Sequence, residues 1–137
     1  MHKSFYASGF LFHPPTQQIL LQQSYSSDEV SLFSGKGEGT ESINDAFRRI
    51  IHERLKVDIP DSQIYHIYSY DHQTTGKVHH VFYAILGADS EEAPSFQKMN
   101  AKWCSFKMLY KSKLNKDLLQ DLVVGQRVIN ASLRVNL

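Results

Sequence analysis

Three glycines and several charged residues between positions 35 and 54 are of types that can bind phosphate or a divalent cation. The glycines are Gly35, Gly37 and Gly39, and the charged residues include Glu38, Glu41, Arg49, Glu53 and Arg54. A glycine loop that leads into a helix offers backbone N–H groups and the positive end of the helix dipole to an anion. Arginine binds phosphate oxygens through paired hydrogen bonds, and carboxylates bind divalent cations. The pattern is compatible with a phosphate-binding site, although a plain glycine turn gives the same loop sequence.

Two common phosphate loops do not fit this segment. A Walker A loop needs two glycines five residues apart, followed by lysine and then serine or threonine. Lys36 is followed by Gly37 instead, and the first glycine is missing. The dinucleotide-binding fingerprint also fails, because Gly35, Gly37 and Gly39 are evenly spaced by two. What remains is a glycine loop in front of a helix.

The periodicity of apolar residues predicts that this helix covers residues 41–57. Thr40 or Ser42 is the expected N-cap, and Asp45 follows Ser42 at the spacing of a capping box. Pro60 prevents further continuation of the helix.

One face of the predicted helix is apolar, and Ile50 lies in the middle of that face. Ile50 is therefore predicted to be a core residue. Arg54 projects close to the direction of Ile50, so two interpretations remain open for it. Its stem could lie along the apolar face with its head in water, or its guanidinium could hold a phosphate.

The rest of the chain predicts an α/β fold in a single domain, residues 1–137. Strands are expected at residues 5–12 and 19–23, in a hairpin formed by 63–72 and 77–86, and at 103–108, with a second amphipathic helix at 115–133. Residues 24–31 are expected to form a polar loop and residues 88–95 an acidic one. Strands, a helix, more strands and a closing helix are typical of a mixed α/β domain.

The segment from Gly35 to Val57 resembles the Nudix box, whose pattern is G-x5-E-x7-R-E-U-x-E-E-x-G-U with U aliphatic. The matching residues are Gly35, Glu41, Arg49, Ile51, Glu53 and Val57. The departures are Ile50 and Arg54 in place of two glutamates, Lys56 in place of the late glycine, and Phe33-Ser34 where Pro-Gly is usual. The order of the surrounding elements agrees with the family, so the resemblance covers most of the chain.

The resemblance implies a Nudix-like α/β/α sandwich with a mixed β-sheet and a nucleoside diphosphate derivative as ligand. In the family, helix glutamates hold the Mg²⁺ or Mn²⁺ that bridges the diphosphate. Carried over residue by residue, it makes Glu53, Arg49 and Glu41 catalytic candidates and Gly35, Lys36, Gly37 and Arg54 substrate-binding candidates. The metal candidates are Glu53 and, more weakly, Glu38.

Ile50 and Arg54 replace two family glutamates, so we expect pyrophosphohydrolase activity to be attenuated or lost. Two alternatives remain open. One is an active Mg²⁺-dependent pyrophosphohydrolase with reassigned ligands, and the other is an RNA- or protein-binding module built on the same fold.

Composition disfavours two classes of partner, and the resemblance implies a nucleotide-type small molecule as the remaining one. Fifteen Lys and Arg against fourteen Asp and Glu give a net charge of +1, which disfavours duplex DNA and anionic membranes. The longest apolar stretch, residues 81–88, is shorter than the roughly 20 residues of a membrane span. The first residues do not form a signal peptide pattern, so a cytoplasmic protein is expected, and an oligomer is possible.

Several further residues have both a chemical and a structural interpretation. His66, His72 and His80 could converge across the hairpin, although cross-strand packing is favoured. Cys104 is expected to be a small buried side chain. Glu91 and Glu92 occupy a loop in which some Nudix enzymes carry an extra ligand or base, although a solvated loop is favoured. The aromatic residues Tyr6, Phe12, Tyr68, Tyr70 and Phe82 could form a platform for a base, although core packing is favoured for each.

Overall fold

A computed structural model describes residues 4–72, 74, 76–86 and 100–135, with side chains up to residue 132. The elements are β1 (Phe5–His13), β2 (Gln18–Gln23), β3 (Val30–Ser31), β4 (Phe33–Lys36), α1 (Ile43–Leu55), a single 3₁₀ turn (Asp61–Gln63), β5 (Ile64–Asp71), β6 (Val78–Ile85), β7 (Ala101–Cys104), α2 (Phe106–Tyr110) and α3 (Lys116–Val135). The acidic loop expected at residues 88–95, with Glu91 and Glu92, lies outside the described residues.

The strands form one mixed sheet, which confirms the predicted α/β class. The strand order is β3-β2-β1-β6-β5, and β1 runs parallel to β6 and antiparallel to β2. The predicted hairpin is the antiparallel pair of β5 and β6, with an irregularity between His66 and Tyr68 that leaves Ile67 unpaired. The sheet therefore has β1 at its centre.

Alternate residues of the central strands face two separate cores. Ala7, Leu11 and Phe82 face α1, whose buried residues are Ala46, Phe47, Ile50, Ile51 and Leu55. On the opposite face, Phe10, Val81 and Tyr83 pack with Phe106, Leu109, Leu118, Leu122 and Ile129 of α2 and α3. The sheet lies between these helices, as expected for an α/β/α sandwich. Within the described residues, no helix is long and apolar enough to cross a membrane.

Helix α1 begins where the capping pattern indicates, two residues after the start of the predicted span. Ser42 is the N-cap, and its hydroxyl accepts a hydrogen bond from the backbone N–H of Asp45 at 3.1 Å. The helix ends at Leu55, where Lys56 adopts a left-handed conformation with φ of 59°. The cap therefore fixes the helix directly behind the glycine loop.

Three predicted boundaries were wrong. The expected loop at residues 24–31 contains β3, which pairs with the end of β2. The glycine run contains β4, which pairs with the first half of β1. The strand expected at residues 103–108 is β7 at Ala101–Cys104, and the next residues form α2, capped by the Ser105 hydroxyl.

The edge of β1 is shared by two different strands, which opens a fork in the sheet. β4 pairs with β1 from Tyr6 to Gly9, and β2 pairs with it from Leu11 to His13. Neither pairing includes Phe10. The glycine loop and the start of α1 thus lie on one branch of the fork, opposite β2.

Candidate functional site

Arg49 is the centre of a polar network that joins the glycine loop to α1. Its Nε and Nη2 donate to the two carboxylate oxygens of Glu41 at 2.9 and 3.2 Å, and Nη1 donates to Glu53 at 3.2 Å. Nη2 also donates to the backbone carbonyl of Lys36 at 2.7 Å, and Glu38 lies 3.9 Å from Nη1. The contact between Arg49 and Glu53 is the one expected from their spacing of one helical turn.

Glu41 connects this network to the backbone of the loop. Its Oε1 accepts the N–H of Glu38 at 2.8 Å, in addition to the guanidinium of Arg49. The hydrogen bond from Arg49 lowers the pKa of the Glu41 carboxyl, and the pair raises the pKa of Arg49. Glu41 therefore remains ionised near neutral pH and is a poor proton acceptor.

The glycines allow close packing, and their neighbouring N–H groups already have partners. The N–H of Gly37 donates to the carbonyl of Phe5 at 2.8 Å, and that of Glu38 is taken by Glu41. A Cβ atom on Gly37 would lie 2.3 Å from the Phe5 ring, and one on Gly35 would lie 3.0 Å from the Ile50 side chain. The N–H groups of Gly37 and Glu38 therefore already donate to protein acceptors and are not free for an anion. An anion at this loop would have to be bound by side chains.

The two positions that depart from the Nudix box have very different surroundings. Ile50 is 2% exposed and belongs to the core beneath Gly35, as predicted from the periodicity. Arg54 is exposed, and its Nη1 donates to Gln22 Oε1 at 2.6 Å while Nη2 donates to the carbonyl of Ser34 at 3.3 Å. Arg54 therefore connects β2 to β4 across the fork, a contact that the sequence analysis did not anticipate.

The residues of this site do not fit a divalent cation. Glu38, Glu41 and Glu53 surround the guanidinium of Arg49, so a cation is already present among them. Ile50 supplies no ligand atom, and Arg54 adds a further positive charge. In the described part of the chain, no three His, Cys, Asp or Glu side chains are grouped so as to hold a metal ion. The metal candidates Glu53 and Glu38 both lie beside the Arg49 guanidinium.

A cavity of about 810 Å³ lies on the opposite face of the sheet and meets this site at the fork. Ser34 lines the cavity, and its carbonyl accepts the hydrogen bond from Arg54. Lys36 pairs in register with Tyr6, which also lines the cavity, so both side chains lie on that face. The exposed Lys36 side chain and Arg54 thus supply positive charge near one end of the cavity.

The cavity contains a buried carboxyl group that the sequence analysis missed. Asp121 of α3 is 5% exposed, and the Tyr68 hydroxyl donates a short hydrogen bond to its Oδ1. Burial raises the pKa of Asp121 to about 6. The sequence does contain a pattern that indicates this group. Asp121 lies between Leu118 and Leu122 on the apolar face of a helix, where a charged side chain needs a partner.

The histidines do not form one cluster. His66 and His80 share one face of the sheet, where the Ser69 hydroxyl lies 2.7 Å from His66 Nε2 and 2.6 Å from His80 Nδ1. His72 stacks on His79 on the other face, with ring centroids 4.7 Å apart. The suggested convergence of His66, His72 and His80 was therefore wrong for His72, because the extra residue at Ile67 shifts the alternation of β5, so that His66 and Tyr68 point to opposite faces.

The other candidates have mainly packing roles. Cys104 is buried, and burial raises the pKa of its thiol. Phe12 and Phe82 belong to the two cores, one on each side of the sheet. Tyr6, Tyr68 and Tyr70 lie on the cavity face, where Tyr6 and Tyr70 contact the His79 ring. Of the residues suggested for an aromatic platform, Tyr6 lines the cavity.

The sequence matches no protein-family model and no curated protein. The fold, by contrast, is similar to many solved structures. A MutT/Nudix family protein from Listeria innocua has a TM-score of 0.69 at 15% identity and covers 98% of this chain and 99% of its own.

Two further structures were solved with or named for nucleotide-derived compounds. The Nudix domain of Shewanella oneidensis NrtR, in complex with ADP ribose, has a TM-score of 0.67 at 16% identity and covers 94% of this chain and 90% of its own. The C. elegans Ap4A hydrolase has a TM-score of 0.65 at 16% identity and covers 93% of this chain and 99% of its own. The mixed sheet, the helix behind the glycine loop and these similarities identify the fold of the chain as the Nudix fold.

Proposed function

We propose that the protein binds a nucleoside diphosphate derivative and hydrolyses it slowly or not at all. The observation that carries this proposal is the exchange of two family glutamates for Ile50, which is buried, and Arg54, whose guanidinium lies at the fork. A cation at that position attracts phosphate directly, whereas the family pattern attracts it through a metal. The similar structures with nucleotide-derived ligands support the class of ligand.

The phosphates would lie at the fork, where positive charge is exposed. Arg54 and Lys36 would contact phosphate oxygens, while Gly35 and Gly37 let the loop pack closely against Ile50 and Phe5. Arg54 keeps donor N–H groups beyond its two contacts, because a guanidinium carries five. The nucleoside would extend from Ser34 into the cavity, whose volume falls in the range of small-molecule sites.

Arg49, Glu41 and Glu53 would hold the glycine loop in shape in this proposal. Glu41 is engaged at both oxygens, and Arg49 ties Glu53 to the loop through the Lys36 carbonyl. Residual hydrolysis would depend on Glu53, which is the most exposed of the carboxylates hydrogen-bonded to Arg49.

Ligand binding is tested by thermal shift and calorimetry with a panel of nucleoside diphosphate compounds, without added metal. The variant Arg54→Ala should weaken binding of the best compound by about tenfold or more, since charge-assisted hydrogen bonds to phosphate are lost. Arg48→Ala is the matched control, because Arg48 lies on the same helix and donates to the Ile59 carbonyl away from the fork. Equal affinities for the Arg54 variant and the parent protein would contradict the proposed phosphate site.

Turnover of the same panel distinguishes the proposal from an active hydrolase. With Mg²⁺ or Mn²⁺ present, we expect cleavage far slower than roughly 1 per second, the low end of ordinary enzyme rates. Rates at or above that level would favour the alternative of a metal-dependent pyrophosphohydrolase with reassigned ligands. Binding of single-stranded RNA in competition with every nucleotide would favour the alternative of a nucleic-acid-binding module.

A further inference from the structure

We propose that Asp121 selects a base that carries an amino group, so that the cavity distinguishes amino-bearing nucleobases from their analogues without one. The proposal rests on the proposed function for the idea that the ligand is a nucleoside. The selectivity follows from the position, burial and hydrogen bonding of the Asp121 carboxyl group. This group lies in the cavity, on the opposite face of the sheet from α1.

Asp121 combines burial with access to the cavity. The residue is 5% exposed, yet it lines the cavity together with Asp117, one helical turn before it. A buried carboxylate is costly unless donors satisfy its oxygens. An oxygen that faces a cavity and has no protein donor is therefore a strong acceptor for a ligand.

Tyr68 satisfies only one of the two oxygens. Its hydroxyl donates to Oδ1, and among the described residues no donor reaches Oδ2. The Tyr68 contact joins β5 to α3 and fixes the orientation of the carboxyl group. Asp121 is thus preorganised to accept one hydrogen bond from a ligand, with little reorganisation on binding.

The charge of the cavity lining favours a ligand group that donates hydrogen bonds over one that is anionic. Four acidic side chains and two lysines line it, which gives a net charge of about −2 at pH 7. These residues are Asp28, Glu29, Asp117, Asp121, Lys102 and Lys113. Asp117 and Asp121 lie together on α3, so phosphates would be repelled from that part of the cavity and attracted to Arg54 at the fork.

The side of the cavity formed by β1 and β6 is lined by Tyr6 and His79, whose ring centroids are 4.8 Å apart. The His79 ring also stacks on Tyr70 and His72, and the Lys77 ammonium lies over the Tyr6 ring. His79 Nε2 is buried and has no hydrogen-bond partner among the described residues. These rings give the cavity a largely apolar wall that accepts any base and leaves selectivity to Asp121.

An amino group on the base would donate to Asp121 Oδ2. An analogue with hydrogen at the same position would leave the buried oxygen unpaired, which costs binding free energy. The matched pairs are guanosine with inosine, which lacks the 2-amino group, and adenosine with purine riboside, which lacks the 6-amino group. We expect at least one pair to differ by about tenfold or more in affinity.

The experiment measures dissociation constants of these four nucleosides by NMR titration against the intact protein. Asp121→Asn should reduce the amino preference to less than threefold, because an amide oxygen is a weaker acceptor than a carboxylate. Asp117→Asn is the matched control, since it removes the same charge from the same cavity without changing the buried carboxyl. It should retain the full preference.

The affinities of the four nucleosides are compared first in the unmodified protein, so this part of the test does not depend on whether a variant folds. Equal affinities within both pairs, absence of nucleoside binding, or an undiminished preference in Asp121→Asn would overturn the proposal. An equal loss of preference in Asp117→Asn would also overturn it, because general charge would then explain the effect.

The two proposals can fail separately. An amino preference without any gain in affinity from phosphates would leave Asp121 as the selecting residue and refute the phosphate site at Arg54. Binding of diphosphates through Arg54 without an amino preference would support the phosphate site and refute the role of Asp121.

Discussion

The substitution Ile50→Glu is expected to lower the free energy of unfolding by about 3–5 kcal/mol at pH 7, because it places a carboxylate in the apolar core. Ile50 is 2% exposed and packs directly beneath Gly35, with no polar partner among its neighbours in that core. Urea unfolding followed by circular dichroism measures the effect. A change of this size would be a large part of the stability of an ordinary domain.

The control is Ile50→Val, which should cost about 0.5–1.5 kcal/mol by the loss of one methyl group. The stability of Ile50→Glu also determines whether the two missing glutamates of the Nudix box can be introduced into a folded protein. The double variant with glutamate at positions 50 and 54 recreates the family pattern, but its folding must be established before its activity is interpreted. If Ile50→Glu is as stable as the parent protein and binds Mg²⁺ more tightly, then the position is open to the site and our interpretation of Ile50 as a core residue is wrong.

The substitution Arg49→Leu is expected to lower the free energy of unfolding by about 2–4 kcal/mol at pH 7. It removes the hydrogen bonds to Glu41, Glu53 and the Lys36 carbonyl, and it leaves three neighbouring carboxylates without their cation. The same measurement on Arg48→Leu provides the control. Arg48 is more exposed, its contact with Asp45 is 3.9 Å long, and it donates one hydrogen bond to the Ile59 carbonyl, so we expect a smaller loss of about 1 kcal/mol.

The effect of Arg49→Leu should also depend on pH. Because Arg49 lowers the pKa of Glu41 in the folded protein, this pair contributes stability above the ordinary pKa of a glutamate, and the contribution is lost as pH falls through the folded value. The difference between Arg49→Leu and the parent protein should therefore shrink when the pH is lowered from 7 to 3. A difference that is constant over this range would mean that packing of the arginine stem, and not its charge, stabilises the loop.

The parts of the fold that depend on local patterns could be predicted from the sequence. Helix α1, with Ser42 as its cap, and the β5–β6 hairpin have strong periodicity and clear end signals. Strand β4 lies in a glycine-rich run that is a poor strand former by itself, and it exists because β1 supplies its hydrogen bonds. Pairings of this kind join residues that are distant in sequence, so local patterns do not contain them.

The same distinction applies to the site. The pairing of Arg49 with Glu53 follows from spacing within one helix, and the burial of Ile50 follows from periodicity. The contact of Arg54 with Gln22 and Ser34 joins three separate elements, and the cavity combines residues from both ends of the chain. Asp121 could have been noticed on the apolar face of its helix, but its partner Tyr68 lies 53 residues away.

Lys56 shows that a left-handed backbone conformation can form at a helix end without the glycine that usually adopts it. In the Nudix box this position is a glycine, and here a lysine adopts φ of 59° at a cost of about 1 kcal/mol relative to glycine. Its N–H still closes the last turn on the His52 carbonyl, and the buried side chains of Val57 and Ile59 hold the chain beyond it. The main chain therefore turns at the end of α1 without the glycine that the Nudix box has there. A search for this fold that requires a glycine at this position would pass over the chain.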